Sequence, residues 1–171
     1  WRTGKCLRVL QGHAGWVNAI CCSPFGEVLA SGSDDQTVRV WDSHTGECLR
    51  TFQGHTDWVC SVCFSPGGIL LASSSYDSTV RVWDSNTGEC LRLLQGHTGW
   101  VGSVCFSPDA EILGSCSYDE TIRLWDANTG VCLRVLRGDR PYEQMNISGA
   151  TGLTPTQLTT LKMLGAVDDE D

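Results

Sequence analysis

The sequence predicts an all-β chain assembled from repeated four-stranded antiparallel blades, and three observations carry that expectation. A Trp-Asp pair returns every 42 residues, at Trp41-Asp42, Trp83-Asp84 and Trp125-Asp126. A Gly-His pair keeps the same spacing at Gly12-His13, Gly54-His55 and Gly96-His97. Between these posts, turn residues interrupt β-branched and aromatic runs every ~8 to 12 positions, which is the spacing of short strands rather than of helices.

The middle repeat illustrates the elements in order. The first strand starts after Trp58, reads VCSVCFS, and breaks at Pro66-Gly67-Gly68; the second reads ILLASSS and closes at Tyr76-Asp77-Ser78. The third is TVRVWD, ending at Asn86-Thr87-Gly88, and the fourth is ECLRLLQ, leading into Gly96-His97. Near-continuous apolar runs such as VLASGS and ILLASSS suit strands covered on both faces. A self-similar period of about 40 to 45 residues, four strands to the period, is that of one propeller blade. Blades are therefore expected at 13–54, 55–96 and 97–138.

Two segments fall outside this count. Residues 1–12 hold a surplus fourth strand, over 5–10, assigned to a blade whose other strands would precede Trp1. Propellers close with ~4 to 8 blades, so the chain reads as the C-terminal end of a longer array. Residues 139–171 leave the pattern, with Asp139 where a histidine is expected. There Thr154 is a good N-cap, Pro155 suits the first helical position, Leu158, Leu161 and Leu164 share one face, and Gly165 stops the helix. The expected tail is a short amphipathic helix with a frayed acidic end, closing an exposed face or edge.

Composition narrows the function. A net charge of −8 argues against a nucleic-acid partner, which would need a basic footprint, although Arg39, Arg81 and Arg123 on third strands and Arg8, Arg50, Arg92 and Arg134 on fourth strands keep the repeat spacing. Cross-strand pairing with Glu47 and Glu89, or protection of the outer edge, is the role expected of them. No run approaches the ~18 apolar residues of a membrane span, so no membrane partner is expected. Most of the ten cysteines recur at the period, as at Cys6, Cys48, Cys90 and Cys132 and at Cys21, Cys63 and Cys105. They read as small core residues. Free thiols in such number suit a reducing, cytoplasmic setting. Cys60 and Cys63 form a CxxC, but residues three apart on a strand point to opposite faces, so neither a metal nor a cofactor is expected. His44 falls in a polar turn and reads as solvated.

These residues resemble the WD40-repeat β-propeller family over positions 3–138. The resemblance implies a hydrogen-bonded tetrad in each blade: His13, Ser31, Asp35 and Trp41; His55, Ser73, Asp77 and Trp83; His97, Ser115, Asp119 and Trp125. A buried aspartate and a buried indole N–H must find partners, and an imidazole and a hydroxyl supply them. A hydrolase would use the same residue types, but a set repeated identically in every blade is a frame, whereas an active site is a single asymmetry. No enzyme activity and no catalytic residue are expected.

By the same resemblance, Trp16, Trp58 and Trp100, together with Asp34, Tyr76 and Tyr118, map to the upper rim, and Asn18, Cys60 and Gly102 lie near the central channel. Tryptophan and tyrosine with acidic neighbours such as Asp57 suit a protein or peptide partner. The tryptophans read equally well as packing residues, which leaves Tyr76 and Tyr118 as the favoured anchors. The tail resembles those of cyanobacterial WD40 signalling proteins, so the alternative is the regulatory end of a larger signalling NTPase or kinase. Expressed alone, the chain is expected to self-associate, three blades joining three to close a ring.

Overall fold

The computed structural model describes residues 4–138, 145–148 and 151–167. Among the described residues twelve strands form three antiparallel four-stranded sheets. The first sheet takes β1 (Val17–Cys22), β2 (Val28–Ser33), β3 (Val38–Asp42) and β4 (Cys48–Phe52) in chain order. The second takes β5 (Val59–Phe64), β6 (Leu70–Ser75), β7 (Val80–Asp84) and β8 (Cys90–Leu94), and the third β9 (Val101–Phe106), β10 (Ile112–Ser117), β11 (Thr121–Asp126) and β12 (Cys132–Arg137). Each sheet is a blade, and the first strands β1, β5 and β9 run beside one another.

Local chemistry sets the hairpins. Between β5 and β6 the Ser65 hydroxyl accepts from the Leu70 N–H, the Ser65 carbonyl accepts from the Gly68 N–H, and Gly68 sits at φ 72°, which L side chains rarely adopt. The Ser-Pro-x-Gly stretch thus closes a tight turn that a bulky residue at the fourth position would strain. Each first strand carries a register shift near its start, opposite the second strand, at Asn18, Cys60 and Gly102. A bulge of this kind re-aims a side chain.

The core lies between blades. One cluster joins Ala30, Val38, Val40 and Phe52 of the first blade to Val59, Val62, Phe64, Leu71 and Trp83 of the second. The other joins Ala72, Val80, Val82 and Leu94 of the second to Val101, Val104, Leu113, Trp125 and Ala127 of the third. No blade has a core of its own, which is the energetic basis of a repeat array.

Two expectations are corrected here. Lys5–Leu10 form no strand, and Leu7 and Val9 are exposed. A fourth strand is held by hydrogen bonds to a third strand, and no free third strand exists for it among the described residues. The cysteines are not the buried core residues expected: all ten are free, five exposed and five only partly buried, with Cys21, Cys63, Cys90 and Cys132 packing against the margins of the two clusters. The outer fourth strand puts Cys48, Cys90 and Cys132 at the blade edge, where burial is incomplete.

The second compact unit spans Arg137–Asp171. Its helix α1 (Pro155–Met163) opens with a capping box: the Thr154 hydroxyl accepts from the Gln157 N–H while the Gln157 side chain accepts from the Thr154 N–H. Gly165, at φ 102°, ends it. Leu158 and Leu161 are half-buried, Leu164 is exposed, and Ile147 and Ala166 are buried beside a parallel bridge between Asn146 and Val167. Asp139 and the acidic end at 168–171 lie outside the described residues. Among the described residues no helix is long and apolar enough to cross a membrane.

Candidate functional site

Each blade brings its histidine, serine, aspartate and tryptophan together. In the second, His55 Nδ1 lies 2.8 Å from Asp77 Oδ2, His55 Nε2 2.8 Å from Ser73 Oγ, and the Trp83 indole N–H donates to the same Ser73 Oγ at 2.8 Å. Corresponding distances are 2.8, 2.7 and 2.8 Å around His13 and 2.9, 2.8 and 2.8 Å around His97. One proton assignment satisfies every group: Trp to Ser, Ser to His Nε2, and His Nδ1–H to the aspartate.

A fifth member was missed in the sequence. Thr79 donates its hydroxyl to Asp77 Oδ1 at 2.6 Å and its N–H to the same oxygen at 2.9 Å, and Thr37 and Thr121 repeat this on Asp35 and Asp119. The signal was present as a threonine two residues after each turn aspartate. Burial of Asp77 disfavours its charge, but the hydrogen bonds from His55, Thr79 and Thr56 outweigh it and hold the carboxyl well below the usual range. Asp35 and Asp119 shift the same way. Ser73 is fully buried and its hydroxyl is engaged by both Trp83 and His55, so the constellation ties β6 and β7 to the loop before β5 and braces the blade.

The arginines are placed differently from the expectation of Glu47 and Glu89 pairing. Arg39, Arg81 and Arg123 lie over the faces of Trp41, Trp83 and Trp125, 5.7 to 5.9 Å from the ring centroids. This explains the glycine of each Gly-His pair: a Cβ on Gly54 would sit 2.8 Å from the Arg81 guanidinium and 3.3 Å from the Trp83 ring. Arg8, in the segment before β1, and Arg50, on β4, each reach the turn of the blade that follows. Arg8 donates to the Thr45 carbonyl at 3.3 Å, and Arg50 donates to the Asn86 carbonyl. The aspartate of each Trp-Asp pair caps that turn; Asp84 accepts from the Asn86 and Thr87 N–H groups at 2.9 and 2.7 Å. His44, in the equivalent turn, is exposed.

The positions expected at the rim and channel converge on one cleft of about 410 Å³. Its wall is aromatic: Trp58 meets Tyr76 edge-on at 5.2 Å, Tyr76 stacks on Trp100 at 4.2 Å and 26°, and Trp100 leans on Tyr118 at 4.8 Å. Trp16, Asn18, Asp34, Cys60 and Gly102 complete it. Trp58, Tyr76, Trp100 and Tyr118 therefore form one ladder, with the packing and exposed roles combined in the same rings. Backbone bonds set the spacing: the N–H groups of Asp34, Tyr76 and Tyr118 donate to the carbonyls of Trp16, Trp58 and Trp100 at 2.9, 3.0 and 2.9 Å. Partial burial pushes the Cys60 thiol up to about 11, with Asp57 and Asp34 adding to the shift, so it stays protonated at neutral pH. No group of three or more His, Cys, Asp or Glu side chains among the described residues is arranged to hold a metal.

Comparison with known proteins gives a consistent result. The family described as "WD domain, G-beta repeat" matches residues 4–42, 46–84 and 88–126, more than half of the chain. Over 40 residues the chain is 55% identical to the nuclear distribution protein PAC1 of Arthroderma benhamiae, a match covering 23% of this chain and 9% of that protein. Over 41 residues it is 51% identical to the periodic tryptophan protein 2 homolog of Mus musculus, covering 24% and 4%. Each match thus spans under a tenth of these relatives' length. Among solved structures, the WD40 repeats of RRP9 superpose with a TM-score of 0.75 at 23% identity, over 77% of this chain and 42% of that one; the structure of U3-55K gives 0.74 over the same shares. At that identity the likeness is one of fold. None of these relatives supports the signalling NTPase or kinase alternative.

Proposed function

The chain belongs to the WD40-repeat family, and from that premise we propose that it is a non-catalytic platform which holds a protein or peptide partner on the cleft between Trp16 and Tyr118. The family's repeats are protein-interaction modules. The observation that supports placing the partner here is the aromatic ladder itself, four rings in sequence with Trp58, Trp100 and Tyr118 substantially exposed. Rigid aromatic anchors at the edge of a cleft are the residues that carry binding energy at protein interfaces. Net charge of −8 disfavours nucleic acid as the partner, and ten free thiols fit a reducing compartment such as the cytoplasm.

The experiment is to pan a random peptide library on the immobilised chain and measure the enriched peptides against variants. Tyr118→Ala, whose ring is exposed, removes an anchor while leaving both interblade clusters untouched. Affinity is expected to fall by about 2 kcal/mol with an unchanged melting curve. Peptides that bind wild type and Tyr118→Ala equally, and Trp100→Ala equally as well, would place the interaction elsewhere.

A further inference from the structure

The ladder has one position where its pattern changes. In the second and third blades the residue before the turn aspartate is a tyrosine, and Tyr76 fills the interval between Trp58 and Trp100 as a flat ring. In the first blade the same backbone position, fixed by the same hydrogen bond to a tryptophan carbonyl, is Asp34. The interval between Trp16 and Trp58 therefore holds a carboxylate where its neighbour holds a ring. Among the described residues Trp16 stacks on no other ring and is 83% exposed, against 46% for Trp58 and 43% for Trp100.

Asp34 is also oriented. Asn18, on the bulge of β1, donates from Nδ2 to Asp34 Oδ1 at 2.6 Å and to the Val59 carbonyl at 3.2 Å. Asp34 lines the cleft, and among the described residues its Oδ2 accepts no hydrogen bond. The equivalents of Asn18 are Cys60 and Gly102, neither of which holds its neighbouring tyrosine in this way. No lysine or arginine lines the cleft, and Asp57 adds a second negative charge next to Tyr76.

We propose that this interval is a subsite for an arginine side chain of the partner, its guanidinium inserted between Trp16 and Trp58 and donating to Asp34. The inference rests on the peptide-platform reading and names what one part of that platform recognises. A guanidinium is flat, as the phenol ring in the neighbouring interval is. It is attracted to indole faces and gives N–H donors to a carboxylate in the same plane. A lysine ammonium satisfies the charge but not the flat shape, and a neutral flat group satisfies the shape but not the charge.

The test titrates the full chain with the acetylated peptide Gly-Gly-Arg-Gly-Gly and with the same peptide carrying citrulline, the neutral flat isostere of arginine, or lysine. The readout is the indole N–H signals of Trp16 and Trp58 in ¹H–¹⁵N spectra. Saturable shifts are expected with arginine and roughly fivefold weaker binding with citrulline or lysine. Asp34→Tyr inserts the residue the other two blades already tolerate and should abolish arginine binding; Asp34→Asn keeps size and shape and should bring arginine down to the citrulline level. Equal binding of arginine and citrulline, or full arginine binding by both variants, overturns the subsite, as does the lack of any shift at the two indoles. The Tyr118→Ala result on panned peptides is independent of all three, so the platform reading can stand when the subsite falls.

Discussion

The first and second blades carry nearly the same residues and differ sharply in what covers them. In β5, Val59 is 0% and Val62 6% exposed, because the face of the first blade packs on them; in β1, the equivalent Val17 and Ile20 are 56% and 65% exposed. Beside the latter pair lies an open cavity of about 570 Å³, with Leu10, Val17, Ile20 and Trp41 in its wall. Burial in a repeat is thus a property of the neighbour and not of the residue. The stability of such an array is a sum of blade terms and interface terms, and the first blade lacks one interface.

The largest consequence concerns large apolar side chains on second strands. Leu71 of β6 is fully enclosed, while Leu29 at the same place in β2 is only partly buried. Leu71→Ala is expected to cost about 2 to 5 kcal/mol, the range for a cavity in a closed core, and Leu29→Ala less than half as much. Urea unfolding of both variants at one protein concentration measures this. Equal losses would mean that the two faces are equally covered in solution and would break the comparison.

The tetrads should show the same gradient on a smaller scale. Asp77→Ala leaves His55, Thr79 and the Thr56 N–H short of an acceptor and is expected to cost roughly 1 to 3 kcal/mol; Asp35→Ala, in the more open blade, should fall at the lower end. The pH dependence follows in sign from the depressed carboxyls. An unfolded aspartate titrates near ~4, whereas these remain charged in the folded blade at more acidic pH. Their contribution is therefore full above pH ~4 and is lost as pH falls from there toward the folded values. The wild-type urea midpoint should drop over that acidic window, and Asp77→Ala should show a shallower drop. A variant whose pH profile parallels wild type would remove Asp77 from the linkage.

The strands of the three blades, their turns and four of the five members of each hydrogen-bonded set were legible in the sequence, because periodic Gly-His, Asp and Trp-Asp posts report local backbone geometry, which each blade sets for itself. What was not legible depends on neighbours. The segment Lys5–Leu10 shares the Cys-Leu-Arg core of its counterparts, yet a fourth strand needs a third strand to bond. Cys48 and Cys90 repeat as regularly as any core residue, but regularity says nothing about which face is covered. Arg81 could have met Glu89 or Trp83 from spacing alone; the choice of Trp83 rests on the close approach that Gly54 allows. The nine residues expected at the rim and channel line one cleft, while the stacking that joins Tyr76 to Trp100 required the angle between two blades.

The smallest expected effect on the folded blade is also the one that tests the open face most directly. Val17→Thr with Ile20→Thr keeps β-branched side chains on β1 and removes apolar surface where the strand is mostly exposed, so in dilute solution stability should stay within about 0.5 kcal/mol of wild type, as for other surface substitutions. Wild type is different at higher concentration. An exposed apolar face of this kind beside an unpaired blade invites a second copy, and association stabilises by mass action, making the melting temperature depend on concentration. Sedimentation velocity from sub-micromolar to tens of micromolar should therefore show wild type growing in mass and the double variant remaining monomeric, with their melting temperatures converging on dilution. A wild-type chain that stays monomeric throughout, with a concentration-independent melt, would mean that Val17 and Ile20 are tolerated in water at no cost, and that two interblade interfaces suffice to hold three blades.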